Sequence, residues 1–232
     1  MSLTLGLLGG MGPAATLDFL RQLQAFTPAK SERDHLRVIA DINPRVPEAN
    51  IPGSGPGPVL AEMAGALRGA GAEVLALASN SAHAHADLIQ RASRLSLIDM
   101  IGSAAAAARA SGVRRAGVLG AKPALRLYRE YLAAQAMGMV VLPPDAQAEF
   151  ATALQRIRAG DFGEEVQAVV RAMVAELVAE GAELVIAGSA SLPLVLRRED
   201  LRVDIIDPIE LLARRCVAVC LGVEPAPQVP AG

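Results

Sequence analysis

Two short clusters, Ser79-Asn80-Ser81-Ala82-His83 and Gly188-Ser189-Ala190-Ser191, hold most of the groups in this sequence that could do chemistry. A serine hydroxyl donates and accepts hydrogen bonds, but it becomes a nucleophile or a proton carrier only beside a base. His83 is the single histidine in either cluster. A third candidate is Gly9-Gly10-Met11-Gly12-Pro13. Its glycines let the backbone turn and come close to a ligand, and its proline suits the first position of a helix. Backbone N–H groups at such a helix start suit a carboxylate or a phosphate. The chemistry on offer is recognition of a small acid, with proton transfer conditional on a base beside a hydroxyl.

The elements that must position these groups repeat. Gly71-Ala-Glu-Val-Leu-Ala-Leu-Ala-Ser79 returns as Gly181-Ala-Glu-Leu-Val-Ile-Ala-Gly-Ser189, offset by 110 residues, and Gly6-Leu-Leu-Gly9 returns as Gly117-Val-Leu-Gly120, offset by 111. Two echoes in one order at nearly one spacing indicate a duplicated α/β unit. Each apolar run reads as a strand buried on both faces of a parallel sheet. Ser79 and Ser189 then fall at carboxyl ends of strands, where open α/β sheets place ligands. The expected fold is α/β, with two pseudo-symmetric domains of mainly parallel sheet and a cleft between them. The expected domains are 1–100 plus 207–222, and 101–206, with 223–232 a disordered tail.

In chain order, strands are expected at 3–9, 36–42, 114–119, 138–142 and 202–206, besides the two repeated runs. Helices are expected at 14–26, 58–70, 82–91, 101–111, 124–136, 145–158 and 163–179, with a last one ending near 221. Residues 43–57 hold four prolines and three glycines, which marks a long lid or binding loop, with a disordered surface excursion as the alternative. His83, in the first turn of its helix, meets the positive helix end, which opposes protonation. It is either a neutral hydrogen-bonding group of the site or a packed histidine.

Several function classes are disfavoured. Net charge is −2, aromatics make up 3% and no basic run occurs, so nucleic acid finds neither an electrostatic footprint nor stacking platforms. No apolar run reaches the ~18 residues of a membrane span. The start of the chain lacks the basic region and cleavage site of a leader, and a cytoplasmic protein is expected. His83 and His85 are two apart and share no helix face. Cys216 and Cys220, four apart, read as small apolar residues of one helix face. No Cys/His grouping has metal-site spacing, so no metal is expected. Gly10-Met-Gly12-Pro-Ala-Ala15 fits the loose dinucleotide fingerprint. However, the acidic residue wanted ~20 positions on has only Asp41 as a candidate, 29 beyond Gly12, and Pro13 is awkward in a phosphate turn.

Leu8-Gly-Gly-Met-Gly-Pro13 with Ala15-Thr16, Asn43-Pro44, Ser79-Asn-Ser-Ala-His83, Gly188-Ser-Ala-Ser191 and Ile206-Asp-Pro208 together resemble the aspartate/glutamate racemase family, above all its aspartate racemase branch. The likeness runs in order from about residue 4 to 221. It implies an isomerase that needs neither pyridoxal phosphate nor metal, takes a small amino-acid or carboxylate ligand, and forms a homodimer. The family swaps a proton at Cα between two cysteines on opposite faces of the ligand. By the resemblance those positions are Ser79 and Ser189, with His83 beside the first. Gly10, Met11, Gly12, Asn80, Ser81, Ala190 and Ser191 fall at substrate-binding positions, Ser191 in place of a glutamate. Arg158 matches a lysine of the second domain. The lid arginine falls on Ala49, leaving Arg45 as the nearby cation, and the threonine-rich turn after the fifth strand reads Gly120-Ala-Lys-Pro123. The resemblance thus implies an amino-acid racemase with altered or much reduced activity. The alternatives are a non-catalytic protein that binds a small amino or carboxylic acid, and the disfavoured nucleotide binder.

Overall fold

The computed structural model describes residues 2–47, 55–197, 199 and 201–229. The middle of the expected lid loop, Ala49 included, and the last three residues of the expected tail lie outside them. In chain order the regular elements are β1 (Leu5–Gly9), α1 (Pro13–Phe26), β2 (Val38–Ile42), α2 (Gly57–Gly69), β3 (Val74–Leu77), α3 (Ala86–Ser93), α4 (Met100–Ala110), β4 (Arg115–Gly120), α5 (Lys122–Ala134), β5 (Gly138–Val140), α6 (Pro144–Arg158), α7 (Glu164–Ala179), β6 (Leu184–Gly188), β7 (Ile205–Ile206) and α8 (Pro208–Cys220). The chain forms two compact units, Met1–Met100 with Ile209–Gly232, and Ile101–Pro208.

The fold is α/β, and every strand pair is parallel. The first unit has strand order β2-β1-β3 and the second β5-β4-β6-β7. Each central strand is flanked by its successor on one side and by a strand reached through a longer crossover on the other. The reversal falls between β1 and β3 in one unit and between β4 and β6 in the other, the switch point at whose carboxyl ends open α/β sheets place ligands. β1, β3 and β6 are buried at every position. The edge strand β2 is half-exposed, with Ile42 open to solvent, because no further strand covers its outer side.

The repeated Gly-Ala-Glu has a packing explanation. Gly71 (φ 99°) and Gly181 (φ 91°) end the turns after α2 and α7 in the left-handed region, where only glycine is unstrained. Ala72 and Ala182 then press on the central strand. A Cβ on Gly6 would meet the side chains of Ala72, Leu75 and Leu67, and one on Gly117 would meet those of Ala182, Val185 and Leu177. The two sockets are built from the same positions of the repeat. Glu73 and Glu183 close the motif by accepting the backbone N–H of Thr4 (2.7 Å) and of Arg114 (2.6 Å) as the chain enters β1 and β4. These hydrogen bonds hold the Glu183 carboxyl below the usual range. Much of the repeat is therefore scaffold.

The echo continues where sequence patterning had found nothing. Leu75 forms an isolated parallel bridge with Leu97, at the position where Val185 pairs with Ile205 of β7. The fourth strand of the first unit is reduced to that bridge. β7 itself holds only Ile205 and Ile206, shorter than the expected 202–206 strand. The helix expected over 82–91 begins instead with a 3-10 turn, Ser81–His85, before α3. The expected tail does not start free. Val223 N–H donates to the Ala218 carbonyl, and Glu224 pairs with Arg215 at 3.6 Å. Residues 225–229 carry no helix or strand.

Candidate functional site

At the carboxyl edge of the first unit, the glycine loop between β1 and α1 is fixed from three sides. Gly10 has φ 96°, and a Cβ there would lie 2.5 Å from the backbone nitrogen and oxygen of Asn43. The Asn43 N–H donates to the Gly9 carbonyl at 3.2 Å, tying the loop to the end of β2. From below, the fully buried Thr16 accepts the Gly10 N–H at 3.0 Å and donates to the Gly12 carbonyl at 3.3 Å. Gly12, at φ 104°, caps α1, and Pro13 occupies its first position. Met11 is half-buried and packs on the core of this unit. Arg45 is exposed, with its N–H on the Asn43 side-chain oxygen at 2.9 Å.

Ser79, Asn80 and Ser81 follow β3 at the same edge. Ser79 and Asn80 are buried and Ser81 is half-buried. His83 is only 6% exposed. Its Nδ1 lies 2.8 Å from the Ser79 backbone carbonyl, which can only accept, and the Met100 N–H points at its Nε2 at 3.4 Å. Both contacts hold together only for the neutral ring with its proton on Nδ1. Burial pushes the ring below the ordinary 6.5, against opposing pulls from the Ser79 carbonyl and Asp99. Of the two roles open from sequence, the packed, neutral histidine describes these contacts. They reach the Ser79 backbone, not its hydroxyl.

A ring that stays neutral when folded leaves the unfolded chain to take up the proton first as pH falls. Stability is therefore complete above about 6.5 and drops below it by up to ~1.4 kcal/mol per pH unit, until the folded ring also protonates. Urea unfolding at about pH 7.5 and about pH 5.5 should show a steeper loss for the unmodified protein than for His83→Gln. The half-buried His85, also shifted down by burial, is common to both proteins and cancels. Equal slopes would mean that His83 is not held neutral.

In the second unit, Ser189, Ala190 and Ser191 follow β6, all three buried. A 3-10 turn, Leu192–Leu194, comes next, with Leu192 N–H on the Ser189 carbonyl (3.1 Å) and Leu194 N–H on the Ser191 carbonyl (3.3 Å). The position matching His83 by the repeat is Pro193, which has no donor or base. Gly120, the last residue of β4, pairs with Gly188, and a Cβ on it would lie 2.8 Å from the Gly188 carbonyl oxygen. The strand ends meet closely just before Ser189. Gln147, in the first turn of α6, donates to the Gly120 carbonyl at 3.2 Å. Arg158, the last residue of α6, is exposed. The turn after it is pinned by Arg156, which pairs with Asp161 and with Glu165 at 2.8 Å each.

Within the first unit, therefore, the structure brings Gly10, Met11, Gly12 and Ser79–Ser81 to the carboxyl ends of two adjacent strands, and within the second it sets Ser189–Ser191 at the carboxyl end of the corresponding strand. The clamping role of Thr16, the Met100 contact and Gln147 were not found from sequence. Thr16 was legible only as part of a motif, and the other two carry no local signal. Neither cysteine belongs to a tip. Both are buried on α8, and burial raises the Cys216 thiol and pushes Cys220 up to about 11. Among the described residues, no group of three or more His, Cys, Asp or Glu could hold a metal ion, and no helix is long and apolar enough to cross a membrane.

Known proteins share this architecture. The family model described as Asp/Glu/hydantoin racemase matches residues 8–216. The chain is similar to an aspartate racemase homologue from Pyrococcus horikoshii OT3, at 25% identity and a TM-score of 0.76, covering 94% of this chain and 99% of that one. It is similar to the aspartate racemase of Picrophilus torridus at 19% identity and a TM-score of 0.81, covering 94% of each. The glutamate racemase of Francisella tularensis subsp. tularensis, solved with D-glutamate, matches at 16% identity and a TM-score of 0.71, over 96% of this chain and 82% of that one. All three share the α/β fold described above.

Proposed function

Because this chain belongs to the Asp/Glu/hydantoin racemase family, we propose that it binds a small amino acid or related carboxylate at its two serine tips and transfers the Cα proton of that ligand only at a much reduced rate. Ser79 and Ser189 take the positions of the family's cysteines in this reading. The glycine loop, Asn80 and Ser81 of the first unit and Ala190 and Ser191 of the second are the ligand-binding positions in this reading. Arg45 and Arg158 are the candidate cations for a distal carboxylate. The same reading carries a cytoplasmic homodimer that works without pyridoxal phosphate or metal.

The observation that carries the reduced rate is the occupation of His83. A free thiol ionises near pH 8.5 and its surroundings readily bring it to neutrality. A hydroxyl needs a base at its side. In the first unit His83 has both ring nitrogens engaged by backbone. In the second, the repeat puts Pro193 there. Neither motif leaves a base for its hydroxyl, which favours hydrogen bonding to the ligand over proton abstraction. The same observation supports the second reading, a ligand-binding protein on the racemase fold with no turnover.

Cα–H to Cα–D exchange in D₂O, followed by NMR beside direct binding measurements, tests both. Aspartate and glutamate of either hand are the first ligands, glutamate because the Francisella relative was solved with D-glutamate. Stoichiometric binding with trace exchange is expected. Rapid exchange by the unmodified protein would overturn the reduced rate, and exchange beyond detection would select the binding protein. Failure of every amino acid and carboxylate tried to bind would overturn the ligand class.

A further inference from the structure

The glycine loop offers three backbone N–H groups to an acid, those of Gly10, Met11 and Gly12, and sequence alone treats them as equivalent. The structure does not. The Gly10 N–H is spent on the Thr16 hydroxyl at 3.0 Å, and the same hydroxyl donates to the Gly12 carbonyl at 3.3 Å. Thr16 is wholly buried, and its own backbone N–H also bonds the Gly12 carbonyl at 3.1 Å. Its methyl fills the space a side chain on Gly9 would need, since a Cβ there would lie 2.5 Å from Thr16 Cγ2. One side chain thus closes a ring of contacts under residues 9–12. It holds two residues with positive φ, Gly10 and Gly12, in a single arrangement.

We propose that Thr16 is the positioning residue of the ligand loop. It withdraws the Gly10 N–H from the ligand and presents the Met11 and Gly12 N–H groups in the one conformation that receives a carboxylate. The inference rests on the ligand class proposed above. The hydroxyl and the methyl have separable tasks. The hydroxyl spans the loop and sets the direction of its donors, while the methyl packs against Gly9 and contributes to stability. Thr16→Val keeps the shape and leaves the buried Gly10 N–H and one lone pair of the Gly12 carbonyl without their partner. Thr16→Ser keeps the hydrogen bonds and opens a methyl-sized gap.

The test is a titration of unmodified protein, Thr16→Val and Thr16→Ser with aspartate and glutamate, with the urea midpoint of each recorded. Thr16→Val should bind roughly tenfold more weakly, while Thr16→Ser should bind like the unmodified protein despite a lowered midpoint. Affinity that tracks the midpoint across the three, or that survives in Thr16→Val, would overturn the proposal. A second measurement needs no variant. In ¹H–¹⁵N spectra of the unmodified protein, saturating ligand should shift the Met11 and Gly12 amides downfield and leave the Gly10 amide in place. A downfield shift of Gly10, or none at Met11 and Gly12 when ligand is bound, also overturns it. If no acid binds the unmodified protein, the ligand class itself falls and takes this inference with it. Binding with the wrong pattern removes the role of Thr16 alone.

Discussion

A Ser79→Cys/Ser189→Cys double variant is expected to exchange the Cα hydrogen of its bound amino acid at least ~10²-fold faster than the unmodified protein, the lower end of what a positioned acid–base group contributes. The substitution adds little volume and changes one property above all, the ease of ionisation. A thiol near pKa 8.5 is partly ionised at neutral pH without help, whereas each serine would need a base that His83 and Pro193 do not supply. Exchange should rise with pH as the thiolate forms. Racemisation needs both thiols, because the proton leaves one face of Cα and returns on the other. Each single variant should therefore gain far less inversion than the double one. The native cysteines will not obscure the result, since both are buried on α8 with raised pKa values. A double variant that binds ligand and still exchanges nothing would remove Ser79 and Ser189 from the proton-transfer positions.

Gly10→Ala is expected to cost at least about 3 kcal/mol of stability, combining the strain of a left-handed residue with overpacking. The added methyl has nowhere to go. It would sit 2.5 Å from the backbone nitrogen and oxygen of Asn43, and backbone yields far less readily than the end of a side chain. Gly71→Ala is the control, with φ 99° but open space around its Cβ position. It should lose only the backbone contribution, ~1–2 kcal/mol. Urea unfolding of the two variants separates the terms, and equal losses would mean that the contact with Asn43 relaxes freely. Ligand binding should vanish in Gly10→Ala at ligand levels that still saturate Gly71→Ala.

Residues close together in the chain determined a good deal by themselves. Apolar runs bounded by glycine announced buried parallel strands, because a strand covered on both faces needs side chains of one kind along its length. The glycine loop, the serine tips and their order identified the family, since loops at strand ends carry a site's chemistry in consecutive residues. The repeat was legible as well, although its meaning was not. Sequence alone could not say that Ala72 and Leu75 make glycine necessary at position 6, or that Glu73 receives the Thr4 N–H. Helix 82–91 was misread at its start, because a turn closed by Asn80 and braced by the His83 ring competes with α-helical hydrogen bonding. The bridge between Leu75 and Leu97 leaves no pattern in the sequence, because two paired residues are too few to show a period.

The contacts of His83 depend on tertiary structure. Its identity allowed a neutral hydrogen-bonding group of the site or a packed ring. The choice fell to Met100, 17 residues away in sequence, and to burial that keeps the ring neutral. Thr16 and the Gly10 N–H are likewise joined only by the turn between them. Local sequence specifies which groups a segment carries and the period at which it presents them. Which of those groups remain available for a ligand depends on partners brought in by the rest of the fold.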